Sequence, residues 1–184
     1  PEDVVIRVMI AALLHEVGDN KFSKIPKEEL INNLLTDILR DYVYDSKELK
    51  QDIILMIDYC GASKWGDRIP ESAKIYQLIV RWADRLEATG WIGIARTLTF
   101  SYVKRNIYPL LKENEEYPRS MEELDKMAPR SRFIEYSNGK KSDSGFSHYL
   151  DKIVHISGSD IPIPYLKDLL NEGQTIVKNY VLDF

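Results

Sequence analysis

Two short segments of the chain combine side chains that bind metal ions. Leu13-Leu14-His15-Glu16 ends an apolar run, and Ala83-Asp84-Arg85-Leu86 follows about seventy positions later. One imidazole and two carboxylates in a shared pocket suit a divalent cation of intermediate hardness, and such a cation could activate water. The residue types therefore indicate a metal site of His15, Glu16 and Asp84. The alternative is that His15 and Asp84 simply pair with each other in a closed core.

The helix that carries the first segment is unusually apolar. Residues from Val4 to Leu14 form an almost unbroken apolar run after Glu2 and Asp3, which suit the first turn of a helix. Such a run predicts a helix that is buried on every side and ends near Gly18. His15 and Glu16 would then be the first polar groups to leave the core.

The remainder of the sequence also predicts helices. Apolar residues at three-four spacing and local start signals predict further helices that begin near Pro26, Asp45, Ser72, Trp91, Phe146 and Pro164. Gly61 to Pro70 is predicted to be a loop, and Lys112 to Ser144 a long irregular excursion with one short helix from Ser120. Because no strand-like alternation persists, the fold class is predicted to be all-α.

The composition limits the class of protein. At 184 residues with 44% hydrophobic residues, the chain can bury one sizeable core, so residues 1–184 are expected to form a single domain. A net charge of -4 argues against general nucleic-acid binding but is compatible with a small anionic substrate. No apolar run is long enough for a membrane span, and the lone Cys60 fits a reducing, cytoplasmic location. A homo-oligomer is left open.

Several segments carry a resemblance to a known family. A helix ending in Leu-Leu-His followed by an acid, and a later Ala-Asp-Arg-Leu helix, resemble the HD-domain metal-dependent phosphohydrolases. Further segments resemble one branch of small HD proteins that includes nucleotide pyrophosphohydrolases. These are Gly18-Asp19-Asn20-Lys21-Phe22, Ser63-Lys64-Trp65-Gly66, Gly93-Ile94-Ala95-Arg96-Thr97 and Ser147-His148-Tyr149-Leu150-Asp151-Lys152. The resemblance implies an HD-type helical bundle.

The resemblance also implies roles for individual residues. His15, Glu16 and Asp84 would hold a divalent metal, whether Mn, Mg, Fe, Co or Zn, and Asp19 and Glu87 would orient water or act as a general base. The residues expected to bind the phosphate of the substrate are Lys21, Lys64, Arg85, Arg96 and His148. The substrate would be a nucleotide or another small phosphate ester. The alternatives are capping or surface charge for the two acids, and a structural tie between helices for Arg85.

The sequence departs from the family pattern at two places. Glu16 stands where the family has aspartate, and its extra methylene would require a shift of roughly an ångström for metal binding. The family's first histidine ligand has no counterpart: either the helix that carries it precedes Pro1, or the ligand has been lost. Both departures favour a second hypothesis, an HD scaffold that has lost catalysis and serves as a binding or regulatory protein. A purely structural helical interaction domain is the third.

Overall fold

A computed structural model describes residues 2–17, 24–40, 46–66, 68–105 and 107–184. Within these ranges the chain contains helices and no strand, so the all-α prediction is confirmed. None of the described helices combines the length and the apolar character needed to cross a membrane. The helices in chain order are α1 Glu2–Leu14, α2 Lys27–Ile38, α3 Ser46–Tyr59, α4 Ala62–Trp65, α5 Ile79–Glu87, α6 Gly90–Val103, α7 Met121–Met127, α8 Arg130–Ser137, α9 Gly145–Asp151 and α10 Pro164–Leu182, with 3-10 helices at Ile75–Leu78 and Ile153–His155.

The chain divides into two units. The first comprises Pro1–Gly61 with Pro70–Trp82, and the second comprises Ala62–Ile69 with Ala83–Phe184. The expectation that residues 1–184 form one domain stays a prediction.

The core of the first unit lies among α1, α2 and α3. Ala11 of α1, Leu35 of α2, and Ile53 and Met56 of α3 are fully buried in one apolar cluster. Beside this cluster the carboxylate of Asp52 is buried and accepts a hydrogen bond from Arg7 at 2.9 Å. Burial of such a charge is costly unless it is paired, so this ion pair helps to fix α1 against α3.

The prediction that α1 is buried on every side is wrong. Only Ala11 and Leu14 are buried, whereas Val5, Met9 and Leu13 are exposed. These three residues are four positions apart and share one helix face, opposite to the face that packs against α3. The apolar run therefore predicted the helix correctly, but it did not predict that only one face of the helix is buried.

The core of the second unit joins α6, α9 and α10. Phe146 and Tyr149 of α9 and Val177 and Val181 of α10 are fully buried in one cluster, to which α6 contributes Ile94. Two serines define helix starts here, because Ser120 accepts a hydrogen bond from the N–H of Glu123 before α7 and Ser144 accepts one from Ser147 before α9.

The crossing of α6 and α10 requires glycine. Gly90 begins α6 with a φ of 60°, and its neighbour across the crossing is Gly173 of α10. A Cβ atom added to Gly173 would lie 2.5 Å from the hydroxyl of Thr89 and 3.2 Å from the backbone nitrogen of Gly90. The two helices therefore approach more closely at this point than any larger residue at position 173 permits.

Several predicted element boundaries differ from the structure. The segment 112–144 contains the predicted helix α7 and also α8, whose Phe133 is buried. The predicted loop between Gly61 and Pro70 contains the short helix α4. The helix predicted from Ser72 begins later, as a 3-10 turn at Ile75–Leu78 that continues into α5. Local start signals thus located most helices to within a few residues.

Candidate functional site

His15 lies in the turn that follows α1, with a defined protonation pattern. Its Nδ1 is 2.7 Å from the carbonyl oxygen of Ala12, and a carbonyl can only accept a hydrogen bond. Nδ1 of the neutral ring must therefore carry the proton, so that the lone pair lies on Nε2. A backbone carbonyl that orients a histidine in this way is the usual support of an imidazole metal ligand.

The two predicted acidic ligands differ in exposure. Glu16 follows His15 and is exposed, whereas Asp84 is half-buried on α5. The backbone carbonyl of Asp84 accepts the hydrogen bond of Ala88 that continues the helix, so the main chain at this position is regular. Carboxylate oxygens together with one imidazole nitrogen form a donor set that suits Mn²⁺, Mg²⁺, Fe²⁺ or Zn²⁺. Asp19 and Lys21 lie outside the described residues.

Arg85 is bound within the second unit. Its guanidinium donates to the carboxylate of Asp160 at 2.6 Å, to the carbonyl of Gly66 at 2.7 Å and to the carbonyl of Ser157 at 3.3 Å. The side chains of Arg85 and Asp160 are only 11% and 4% exposed. These contacts match the structural role that the sequence left open for Arg85, a tie between separate segments of the chain.

The other predicted phosphate-binding residues are distributed over the second unit. Arg96 forms an exposed salt bridge with Glu87 at 3.2 Å, so these two predicted site residues lie together. Lys64 is exposed on α4, with its ammonium 5.1 Å from the ring centroid of Trp65. The side chains of Lys64 and Arg96 are both exposed to solvent.

His148 belongs to a polar cluster beside α9. Nδ1 of His148 is 3.4 Å from Oγ of Ser142, and that hydroxyl donates to the carboxylate of Asp151 at 2.8 Å. Asp151 also accepts from Arg132 at 2.7 Å. A nucleophilic serine requires the histidine between the hydroxyl and the acid, whereas here the hydroxyl lies between the other two. The cluster therefore positions His148 but does not form a Ser-His-Asp triad.

A groove of about 360 Å³ lies along α10. We call it the α10 groove, and it lies between the segment 154–159 and one face of the helix. The helix residues that line it are Lys167, Asn171, Gln174 and Lys178. This groove, which His155 also lines, was not predicted from the sequence. The signal was the polar stripe at spacings of four, three and four on α10, a pattern that usually marks a solvated helix face.

Comparisons with known proteins place the chain beside proteins of unassigned activity. No family model matches the chain. A crystal structure of a Lactobacillus plantarum protein has a TM-score of 0.64 at 20% identity and covers 95% of this chain and 72% of its own. The Lin1889 protein of Listeria innocua has a TM-score of 0.53 at 20% identity over 98% of this chain and 82% of its own. These two structures share the fold.

A curated relative is closer in sequence. The uncharacterized protein L803 of Acanthamoeba polyphaga mimivirus is 33% identical over 97% of this chain and 76% of its own length. Identity at this level over nearly the whole chain is evidence of common descent, and the chain belongs to the same family as this mimivirus protein.

Proposed function

We propose that the protein is a metal-dependent phosphohydrolase of HD type that acts on a nucleotide or another small phosphate ester. The observation that carries the proposal is the hydrogen bond from Nδ1 of His15 to the carbonyl of Ala12, which leaves the ring in the tautomer that a metal ligand requires. The HD-like segments distributed along the chain supply the further support.

The proposed ligands are His15, Glu16 and Asp84. A divalent cation bound to them would supply a Lewis acid that polarises water and the phosphoryl oxygens. Half-burial of His15 and Asp84 limits the competition from water for these two ligands, whereas exposed Glu16 leaves room for an incoming substrate. This mixed set of nitrogen and oxygen ligands is compatible with Mn, Mg, Fe, Co or Zn.

The remaining residues divide into groups that accept a proton and groups that bind the phosphate. Asp19 is the proposed general base, and Glu87 is the second choice because its carboxylate is paired with Arg96. Lys21, Lys64 and His148 are the proposed phosphate ligands. Arg85 and Arg96 are proposed to act indirectly. Arg85 positions the segment that carries Ser157 and Asp160, and Arg96 positions Glu87. The lone Cys60 favours a reducing compartment, and we propose that the protein acts in the cytoplasm.

The test combines metal analysis with a hydrolysis assay. Protein loaded with each candidate metal is analysed for bound cation and incubated with nucleoside mono-, di- and triphosphates and with simple phosphomonoesters. We expect the protein to retain a stoichiometric amount of cation, about one per chain. We also expect it to release phosphate or pyrophosphate from at least one substrate. His15→Ala and Asp84→Asn should abolish metal retention and lower the rate by about a hundredfold or more. Asp125→Asn, at an exposed position of α7, is the matched control and should change neither.

The possible outcomes separate the two hypotheses. Hydrolysis that requires both His15 and Asp84 would support the phosphohydrolase. The absence of a bound cation with every supplied metal would support the binding or regulatory scaffold, which Glu16 favours because its longer side chain alters the ligand set. Loss of stability in Asp84→Asn with no change in any ligand affinity would support a purely structural role.

A further inference from the structure

The α10 groove combines apolar surface with several groups that can bind an anion. Its lining includes two ammonium groups, two serine hydroxyls and two side-chain amides, and no carboxylate is among the described residues that line it. Neither Lys167 nor Lys178 forms a salt bridge within the part of the chain that the structure describes. In a chain of net charge -4, a groove lined by two uncompensated cations favours an anionic ligand.

One end of the groove concentrates the donors. Gly158 lies against Lys167, because a Cβ atom at Gly158 would lie 3.4 Å from Cγ of Lys167. Ser157 and Ser159 flank this glycine, and their hydroxyl oxygens are 2.9 Å apart. An ammonium and two adjacent hydroxyls are suitable partners for the oxygens of a phosphate. Lys178 lies about 16 Å further along the helix axis, given a rise of 1.5 Å per residue, so one phosphate is bound at the Lys167 end only.

The middle of the groove offers one accessible amide. Asn171 is exposed and lines the groove, and its side chain can both donate to and accept from a hydroxyl group of a ligand. The amide of Gln174 is instead directed into the protein, because its nitrogen donates to the carbonyl of Ile153 at 2.7 Å and its oxygen is buried. Val154 and Ile156 supply apolar surface beside it.

The wall of the groove is fixed from behind. Arg85 binds the carbonyl of Ser157 and the carboxylate of Asp160, and therefore holds the segment that carries Ser157, Gly158 and Ser159. A site whose wall is already ordered loses little entropy when a ligand binds. A volume of about 360 Å³ is at the lower end of the range of small-molecule sites.

We propose that the α10 groove binds a small phosphate ester, with its phosphate at Ser157, Ser159 and Lys167 and a hydroxyl or amino group of its organic part at Asn171. The ligand class is a sugar phosphate or a nucleoside monophosphate. This site is made entirely from the second unit and does not depend on the proposed metal chemistry.

Calorimetric titration of the full chain tests the proposal. The probes are inorganic phosphate, ribose 5-phosphate, adenosine monophosphate and adenosine, all in excess EDTA so that no metal-held anion contributes. We expect saturable binding of phosphate and tighter binding of at least one ester, which weakens as the salt concentration rises. Adenosine, which lacks the phosphate, should not bind.

Three variants locate the binding. Lys167→Ala should weaken phosphate and ester alike by about tenfold, because each loses a charged partner. Asn171→Leu should weaken the ester by a similar factor and leave inorganic phosphate unchanged. Lys126→Ala removes an exposed lysine of α7 that pairs with Glu122, and should change neither.

Two results would overturn the proposal. The first is the absence of saturable binding for phosphate and both esters, and the second is binding that Lys167→Ala and Lys126→Ala weaken equally. An unchanged circular dichroism spectrum of each variant ensures that weaker binding is not due to unfolding. Because EDTA removes the cation, failure here leaves the phosphohydrolase proposal untouched, and failure of the metal assay leaves the groove proposal untouched.

Discussion

Replacement of Arg85 by alanine should mainly destabilise the second unit. The guanidinium is 11% exposed and donates to a carboxylate that is 4% exposed, with two further bonds to the carbonyls of Gly66 and Ser157. Removal of one partner of a buried ion pair typically costs about 3–5 kcal/mol, because a charge stays buried without its counterion. For a chain of 184 residues, this range corresponds to a Tm lower by about 6–20 °C.

Matched variants distinguish this role from a direct contact with substrate. Arg96 is the other arginine expected at the phosphate, and its salt bridge with Glu87 is exposed, so Arg96→Ala should cost at most about 1 kcal/mol. Asp160→Asn removes the buried charge, and the double variant Arg85→Ala/Asp160→Asn should therefore be less destabilised than the sum of the two single variants. Arg85→Lys keeps the charge but not the planar fork, and should give an intermediate Tm.

Thermal and urea unfolding of the parent protein and the five variants provide the measurements. The structural role of Arg85 is refuted if Arg85→Ala melts within a degree or two of Arg96→Ala. It is also refuted if the single and double variants are additive, since additivity would mean that Arg85 and Asp160 do not interact. If Arg85→Ala raises the KM for substrate and leaves the stability unchanged, the interpretation that Arg85 binds phosphate would be favoured instead.

Three further predictions concern the packing, the pH dependence and a helix cap. Gly173→Ala should destabilise by about 1–2 kcal/mol, because crowding against Thr89 and Gly90 exceeds the gain in helix propensity, while the neighbouring exposed Glu172→Ala should stay within about 0.5 kcal/mol in urea unfolding. Burial, with smaller contributions from Arg130 and Arg132, lowers the pKa of His155 below its ordinary value of 6.5. The unfolded chain therefore takes up the proton first, so the free energy of unfolding should fall as the pH decreases from about 6.5 through the lower folded pKa and then level off. His155→Gln should reduce the difference in stability between pH 7.5 and pH 5, and an equal or larger difference in that variant would contradict the assignment. Ser120→Ala should cost about 1 kcal/mol through loss of the N-cap of α7, whereas Thr175→Ala on the exposed face of α10 should cost clearly less when both are compared by thermal melts.

Local sequence patterns predicted much of the secondary structure. Pro164 at the first turn of α10 and the serine before α7 both follow from patterns within a few residues. The exposed stripe of α1 could not be predicted, because an apolar run records the composition of a helix and not which faces meet a partner.

For the candidate site, the sequence could indicate only local segments. The segments around His15 and Asp84 are recognisable locally, but the hydrogen bond that sets the tautomer of His15 depends on the turn after α1. The contacts of Arg85 with Gly66 and Asp160 join residues far apart in the chain, and the α10 groove exists only where the segment 154–159 lies beside the helix. Such long-range pairings leave no periodic signal in the sequence.

The intrinsic fluorescence of the three tryptophans can report on the two units separately. Trp82 has no exposed surface and belongs to the first unit, whereas Trp91 is 68% exposed and belongs to the second. Emission from Trp82 should lie at short wavelength and resist quenching by acrylamide, while emission from Trp91 should be shifted to longer wavelength and be quenched readily. With Trp65 replaced by phenylalanine, Trp82 reports the first unit and Trp91 the second, so their signals during denaturation reveal whether the two units unfold in one cooperative step or separately.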